Sequence, residues 1–202
     1  MSGERSVLFI THADVVMDPE VPVPQWPLSE RGLARHAAFN ADPAIANVTS
    51  IYTSDERKAR DGAEILGEHL AITPAVLPGL RENDRSATGY LERDEFERTA
   101  DAFFANPDES VRGWERASDA QARVVETVDL IVAREESLGD IAVVAHGGVG
   151  ALLLCHVMNV PISRDADQPA GGGGHLFQFG ADSRKLLHGW RRIDPDGSPQ
   201  VH

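Results

Sequence analysis

Two short apolar runs stand out along the chain, and each ends in a histidine. Ser6-Val7-Leu8-Phe9-Ile10 leads into Thr11-His12-Ala13-Asp14, and Ile141-Ala142-Val143-Val144-Ala145 leads into His146-Gly147-Gly148. Continuous apolar runs of this length read as strands buried on both faces of a parallel sheet. Ligands of open α/β sheets bind just beyond the carboxyl ends of such strands. The pattern therefore predicts two histidines, far apart in sequence, meeting over one sheet.

The stretches between them alternate in the same sense. Val15 to Pro27 carries Pro19, Pro22, Pro24 and Pro27 around Trp26, which resists helix and central strand alike and predicts a loop beside the first histidine. Ser29 caps an expected helix from Glu30 to Asn40. Val48–Thr53 reads as a strand, and Ser54-Asp55-Glu56 as the start of a helix with a hydroxyl cap and two acids in its first turn. That helix carries Ala59, Ala63, Leu66 and Leu70 at helical spacing, which puts Arg57, Lys58 and Arg60 close to its beginning. Ile72 to Leu77 is expected as a strand, with Pro74 suited to an edge or a strand start. Pro78 to Gly89 is a polar loop. A helix follows over Arg93 to Ala105, with Phe96, Ala100, Phe103 and Phe104 on one face, and Trp114 packs in the connector after it. Ser118 to Glu136 is a helix opened by a Ser118–Gln121 capping box, with Val124, Val125, Val128, Ile131 and Val132 as its apolar stripe. Gly147 to Met158 is a helix stopped at Asn159-Val160-Pro161. After a loop ending in Gly171 to Gly174, His175–Phe179 and Lys185–Trp190 form a hairpin, and the tail from Asp194 is loose.

With 202 residues, no repeat and no linker composition, the whole chain, 1–202, is expected to form one α/β domain. Hydrophobic content of 42% and charged content of 25% are ordinary for a soluble globular protein. A net charge of −13 without a Lys/Arg run excludes sequence-independent nucleic-acid binding, which needs basic surface. Any phosphate site must then be a local basic pocket in an acidic protein. The single cysteine, Cys155, lies in an apolar run and reads as a buried core thiol. The chain shows no signal peptide and no apolar run near the roughly 20 residues that span a membrane. The expected location is cytoplasmic.

The chemistry available at the two histidines is phosphoryl transfer. A neutral imidazole can attack phosphorus to give a phosphohistidine that water then cleaves. The step needs donors around the equatorial oxygens and an acid for the leaving oxygen. His12 and His146 supply the imidazoles, and Glu82, in the polar loop, is the candidate acid. Lys58, with Arg57 and Arg60 beside it, supplies positive charge, and the backbone N–H groups of Gly147 and Gly148 open a helix, a natural anion site. Taken singly, each has an ordinary structural reading: a hydrogen-bonded histidine, a solvated loop acid, an exposed helix cation.

Their order is what carries the assignment. Strand-His, then Pro-Leu-Ser-Glu-Arg-Gly, then Ile-Tyr-Thr-Ser-Asp-Glu-Arg-Lys-Ala-Arg-Asp-Gly-Ala-Glu-Ile-Leu, then Leu-Arg-Glu, then Val-Val-Ala-His-Gly-Gly-Val resembles the histidine phosphatase superfamily, the phosphoglycerate-mutase-like group, from Val7 to about Leu154. The resemblance implies a single-domain three-layer sandwich: a mostly parallel central sheet with helices on both faces and the site at strand C-termini. It also implies that His12 is the phosphorylated nucleophile, Glu82 the general acid/base and His146 a phosphoryl contact. Lys58 falls where the family places a phosphate-binding arginine. The family's opening Arg-His-Gly reads Thr11-His12-Ala13 here, so Thr11 stands at a clamp position, and Arg85 is the candidate substitute for the missing arginine.

The expected activity is metal-independent and cofactor-free hydrolysis of a small phosphorylated molecule, since no Cys/His ligand cluster is visible. Phosphoglycerate mutase activity is not expected, because a diacid substrate wants more arginines. The alternative is a catalytically impaired relative that binds a phosphorylated or anionic ligand; a third reading is a scaffold whose acidic surface meets a protein partner. No nucleic-acid or membrane partner is expected, and oligomeric state stays open, a homodimer included.

Overall fold

The computed structural model describes residues 4–194. The fold is built on one six-stranded sheet in the order β3-β2-β4-β1-β5-β6. The strands are β1 (Ser6–Thr11), β2 (Val48–Thr53), β3 (Ala75–Val76), β4 (Asp140–Ala145), β5 (His175–Gly180) and β6 (Leu186–Arg192). The helices are α1 (Glu30–Phe39), α2 (Arg57–Leu70), α3 (Arg93–Ala105), α4 (Ala117–Arg134) and α5 (Gly147–Val157). β1 and β4 are adjacent and parallel, with Thr11 opposite Ala145, so both histidines leave the sheet at the same edge. Only β5 runs against its neighbours, pairing antiparallel with β1 and β6.

The continuous apolar runs are explained by burial on both faces. Along β1, Val7 and Phe9 enter one core with Phe103, Val124, Val128, Leu152 and Phe177, under α3, α4 and α5. Leu8 and Ile10 enter the other, with Phe39, Ile51 and Leu66, under α1 and α2. β4 alternates the same way, Ile141, Val143 and Ala145 to the first core and Ala142 and Val144 to the second. Each buried Leu, Ile, Val or Phe side chain stabilises by about 1.5–3 kcal/mol. Cys155 is buried, as expected of a core thiol. Among the described residues no helix is long and apolar enough to cross a membrane.

Four local expectations need correction. The third strand shrinks to Ala75–Val76 at the sheet edge: Pro74 has no N–H to pair, and the Ile72 N–H instead closes the end of α2 on the Gly67 carbonyl at 2.9 Å. α2 starts at Arg57 with no acid in its first turn, because Ser54 and Glu56 are drawn into other contacts. No Ser118–Gln121 capping box forms: Ser118 N–H donates to the Pro107 carbonyl at 2.9 Å and Gln121 Nε2 to the Leu152 carbonyl at 2.8 Å, tying α4 to α5. Asp194 is no loose residue; it is buried and accepts from Arg35 Nε at 3.1 Å and Arg192 Nη2 at 2.9 Å. The rest of the expected tail, 195–202, lies outside the described residues.

Candidate active site

His12 sits one residue past β1 and keeps the strand register, its N–H donating to the Ala145 carbonyl at 3.0 Å. Its Nδ1 lies 2.9 Å from the Ala13 carbonyl. A carbonyl only accepts, so Nδ1 carries the proton and the lone pair stands on Nε2. Partial withdrawal from water, then the Lys58 charge, lowers its pKa to about 4, leaving the ring neutral at physiological pH.

The backbone around His12 is pinned from two sides. Gly174 N–H donates to the His12 carbonyl at 2.8 Å, and Ala13 N–H donates to His36 Nε2 at 3.2 Å. Burial above all, with the Arg35 charge beside it, lowers the His36 pKa to about 3, so His36 accepts in its neutral form. The four glycines are a built loop. Arg35, with 2% of its side chain exposed, donates to Asp14 at 2.9 Å, Gly173 O at 3.0 Å and Gly174 O at 3.1 Å. Gly173 has φ +71°, and a methyl group there would lie 2.2 Å from the His12 carbonyl oxygen, so only glycine allows this approach.

His146 is fully buried at the end of β4, its ring 5.3 Å from that of His12 between centroids, edge to face. Ser54 Oγ accepts the Glu56 N–H at 3.1 Å and lies 2.8 Å from His146 Nε2. With the Ser54 proton directed to Nε2, the proton of the neutral ring is on Nδ1, which has no partner among the described residues. Burial, reinforced by Lys58, holds the His146 pKa well below the ordinary imidazole value.

Lys58 is buried too, but it is not an open cation. Its Nζ contacts Glu56 Oε2 at 2.5 Å and the Val23 carbonyl at 3.0 Å, which ties α2 to the proline-rich loop. Burial works to raise the Glu56 carboxyl, yet Lys58 outweighs it and holds the pKa below the usual value. Glu56 Oε1 accepts the Glu82 N–H at 2.9 Å.

Glu82 binds the start of α5. Its Oε2 accepts from Gly148 N–H at 3.0 Å and its Oε1 from Val149 N–H at 2.9 Å. Arg85 Nη2 pairs with Oε2 at 3.0 Å. Burial would raise the Glu82 carboxyl, but Arg85 and the Gly148 N–H prevail and keep it low. Arg85 itself lies over the rings of Phe96, at 5.1 Å, and Trp114, at 5.4 Å. It therefore fixes Glu82 rather than standing open as a free replacement for an arginine clamp.

Thr11 is fully buried, and its hydroxyl accepts the His175 N–H at 3.0 Å and donates to Gln168 Oε1 at 2.7 Å. Gln168 lies against Gly147, where a methyl group would meet its Nε2 at 2.2 Å.

The structure thus gathers His12, Glu82, His146, Lys58, Arg85, Thr11 and Gly147 around one end of the sheet, three of them, Lys58, Arg85 and Glu82, already in ion pairs. Sequence reasoning treated Ser54 and Glu56 only as a helix start and passed over Gln168. For Ser54 and Glu56 a signal existed: they follow directly on a strand end, where site residues gather. Gln168 had none. Among the described residues no group of three or more His, Cys, Asp or Glu side chains is arranged to hold a metal ion.

Comparison with curated protein sequences finds no match. Solved structures do match. Bacillus stearothermophilus YhfR superposes with a TM-score of 0.76 at 23% identity, covering 96% of this chain and 98% of that one. A mycobacterial glucosyl-3-phosphoglycerate phosphatase, in complex with inorganic phosphate, gives 0.73 at 24% identity, covering 93% and 94%. A putative α-ribazole-5′-P phosphatase from Escherichia coli gives 0.69 at 14% identity, covering 94% and 96%. These likenesses establish the shared α/β fold. The family model of the histidine phosphatase superfamily (branch 1) matches residues 21–171, which hold Glu82 and His146 and begin after the divergent Thr11-His12-Ala13. Three quarters of the sequence thus carry the family pattern on the family's fold, and the chain belongs to the histidine phosphatase superfamily.

Proposed function

We propose that the protein is a phosphomonoesterase that works through a phosphohistidine at His12 on a small phosphorylated substrate. The observation that carries this reading is the His12 ring: neutral, with Nδ1–H committed to Ala13 and Nε2 free, against His146 at the strand ends. In the first step the Nε2 lone pair forms the P–N bond as the P–O bond to the leaving group breaks, and Glu82 protonates the leaving oxygen. The depressed Glu82 carboxyl suits this role only once substrate is bound: a phosphate dianion placed beside it raises its pKa and loads the proton. In the second step Glu82 takes a proton from water, the water oxygen bonds to phosphorus, the P–N bond breaks and its electron pair returns to His12. His146 Nδ1–H and the Gly147 N–H, at the positive end of α5, are the donors for the developing charge. Membership of the family and the phosphatases among its structural neighbours support the same chemistry.

The test is hydrolysis of a phosphomonoester panel, from p-nitrophenyl phosphate to the substrates named for the two phosphatase neighbours, by wild type and His12→Ala. The expected result is turnover that falls by more than roughly a thousandfold in His12→Ala. Wild-type rates no higher than those of His12→Ala across the panel would leave a ligand-binding relative as the account.

A further inference from the structure

We propose that Gln168, held by Thr11, is the side-chain donor to the phosphoryl oxygens that the motif lacks at its first position, with its amide Nε2 as the contacting atom. The inference rests on the phosphate-site reading above.

The argument starts from what Thr11 does with its one proton. Its Oγ1 accepts the His175 N–H at 3.0 Å, and two acceptors lie within reach of its one hydrogen, the His175 carbonyl at 3.3 Å and Gln168 Oε1 at 2.7 Å, of which the much closer Oε1 takes it. That is an ordinary O–H···O length. A hydroxyl donating to the carbonyl end of an amide fixes which end is which, so Nε2 is turned away from Thr11. It is turned toward the start of α5: a methyl group on Gly147 would meet Nε2 at 2.2 Å. Gly147 follows His146 directly, and Thr11 precedes His12 directly, so the amide lies between the two histidine-bearing strand ends.

The Gln168 segment is anchored well enough to hold a ligand. Asp167 Oδ1 accepts the Gln168 N–H at 2.8 Å, and Trp190 Nε1 donates to the Ala166 carbonyl at 2.8 Å. Nε2 itself is used in none of the hydrogen bonds among the described residues, whereas the nearby cations are engaged, Lys58 by Glu56 and Arg85 by Glu82. An amide N–H₂ without a partner among the described residues, beside the Gly147 N–H at the start of α5, makes a neutral pair of donors. Glycine at 147 is then required for more than helix initiation, since any side chain would displace the amide. Thr11 acts through Gln168 and is a positioning residue.

The experiment measures inorganic phosphate binding by titration calorimetry, together with kcat and KM, for wild type, Gln168→Ala, Gln168→Glu and Thr11→Ser. Gln168→Ala is expected to weaken phosphate about tenfold and to lower kcat on the order of a hundredfold, as loss of one preorganised donor does. Gln168→Glu, which sets a carboxylate against phosphate, should weaken both further, while Thr11→Ser, which keeps the hydroxyl that positions Gln168, should lose far less than Gln168→Ala. Thermal melting of the Gln168 variants should remain near wild type, which separates lost contact from lost fold. Phosphate affinity and kcat within twofold of wild type in Gln168→Ala would overturn the inference. A wild type that binds phosphate without hydrolysing esters defeats the phosphatase reading alone, and the binding comparison still decides Gln168. A wild type that binds no phosphate defeats both.

Discussion

Lys58 and Glu56 show how a single buried acid resets the site. An ammonium at this depth needs a counter-charge, and Glu56 supplies it at 2.5 Å while also receiving the Glu82 N–H at 2.9 Å. The site therefore holds its cation in a neutral pair, and on the proposed phosphatase reading an incoming phosphate would compete with Glu56 for Lys58. Glu56→Gln keeps an acceptor for the Glu82 N–H but removes the charge. It should tighten inorganic phosphate binding several-fold, roughly the effect of exposing one partly screened charge, and lower the melting temperature, because Lys58 is left buried without its partner. Weaker phosphate binding in Glu56→Gln would contradict this view of the pair. Arg85 obeys the same logic: stacked on Phe96 and Trp114 and paired with Glu82, it governs the acid rather than the phosphate.

At the scale of elements, what was legible in the sequence was whatever hydrophobic periodicity controls. β1, β2, β4, α1 and α3 fall where their apolar patterns put them, and Ser29 caps α1 by accepting the Gly32 N–H at 3.1 Å. Errors arose where polar side chains had a better partner far away in sequence. Gln121 left its capping box for the Leu152 carbonyl, and Ser54 left its helix for His146. The same holds within the site. His12 and His146 could be read because strand ends are marked locally, and Glu82 from its place in the motif order. The pairing of Lys58 with Glu56, the seating of Glu82 on α5 and the bond from Thr11 to Gln168, 157 residues away, are tertiary contacts with no local signature. Arg35 is the strongest case. A helix residue with nothing to single it out organises the glycine loop that holds His12 in place.

At the scale of the whole molecule, four histidines among the described residues are kept neutral by the fold. His12 and His175 are lowered to about 4, His36 to about 3 and His146 well below the ordinary value, burial being the leading cause in each. Their unfolded pKa values lie near 6.5, so below that pH the unfolded chain takes up protons that the native state refuses. Stability is therefore whole above about pH 6.5 and falls as pH drops from there toward 4, by up to about 1.4 kcal/mol per pH unit for each fully buried histidine. The carboxylates of Glu56, Glu82 and Asp194, lowered in the fold against the raising effect of burial, add a loss of the same sign at more acid pH. The urea midpoint should drop clearly between pH 7 and pH 5, and a midpoint constant over that range would contradict the neutral, buried assignment. The same neutrality is what the nucleophilic role proposed for His12 requires at physiological pH, and the most direct test of that proposal is to trap the intermediate. Wild-type protein mixed with a turned-over phosphomonoester, quenched within one turnover and digested under alkaline conditions, should carry a single acid-labile phosphoryl group on the peptide holding His12, absent from His12→Ala. Turnover with no phosphoryl group on His12, or with the label on another residue, would contradict the account.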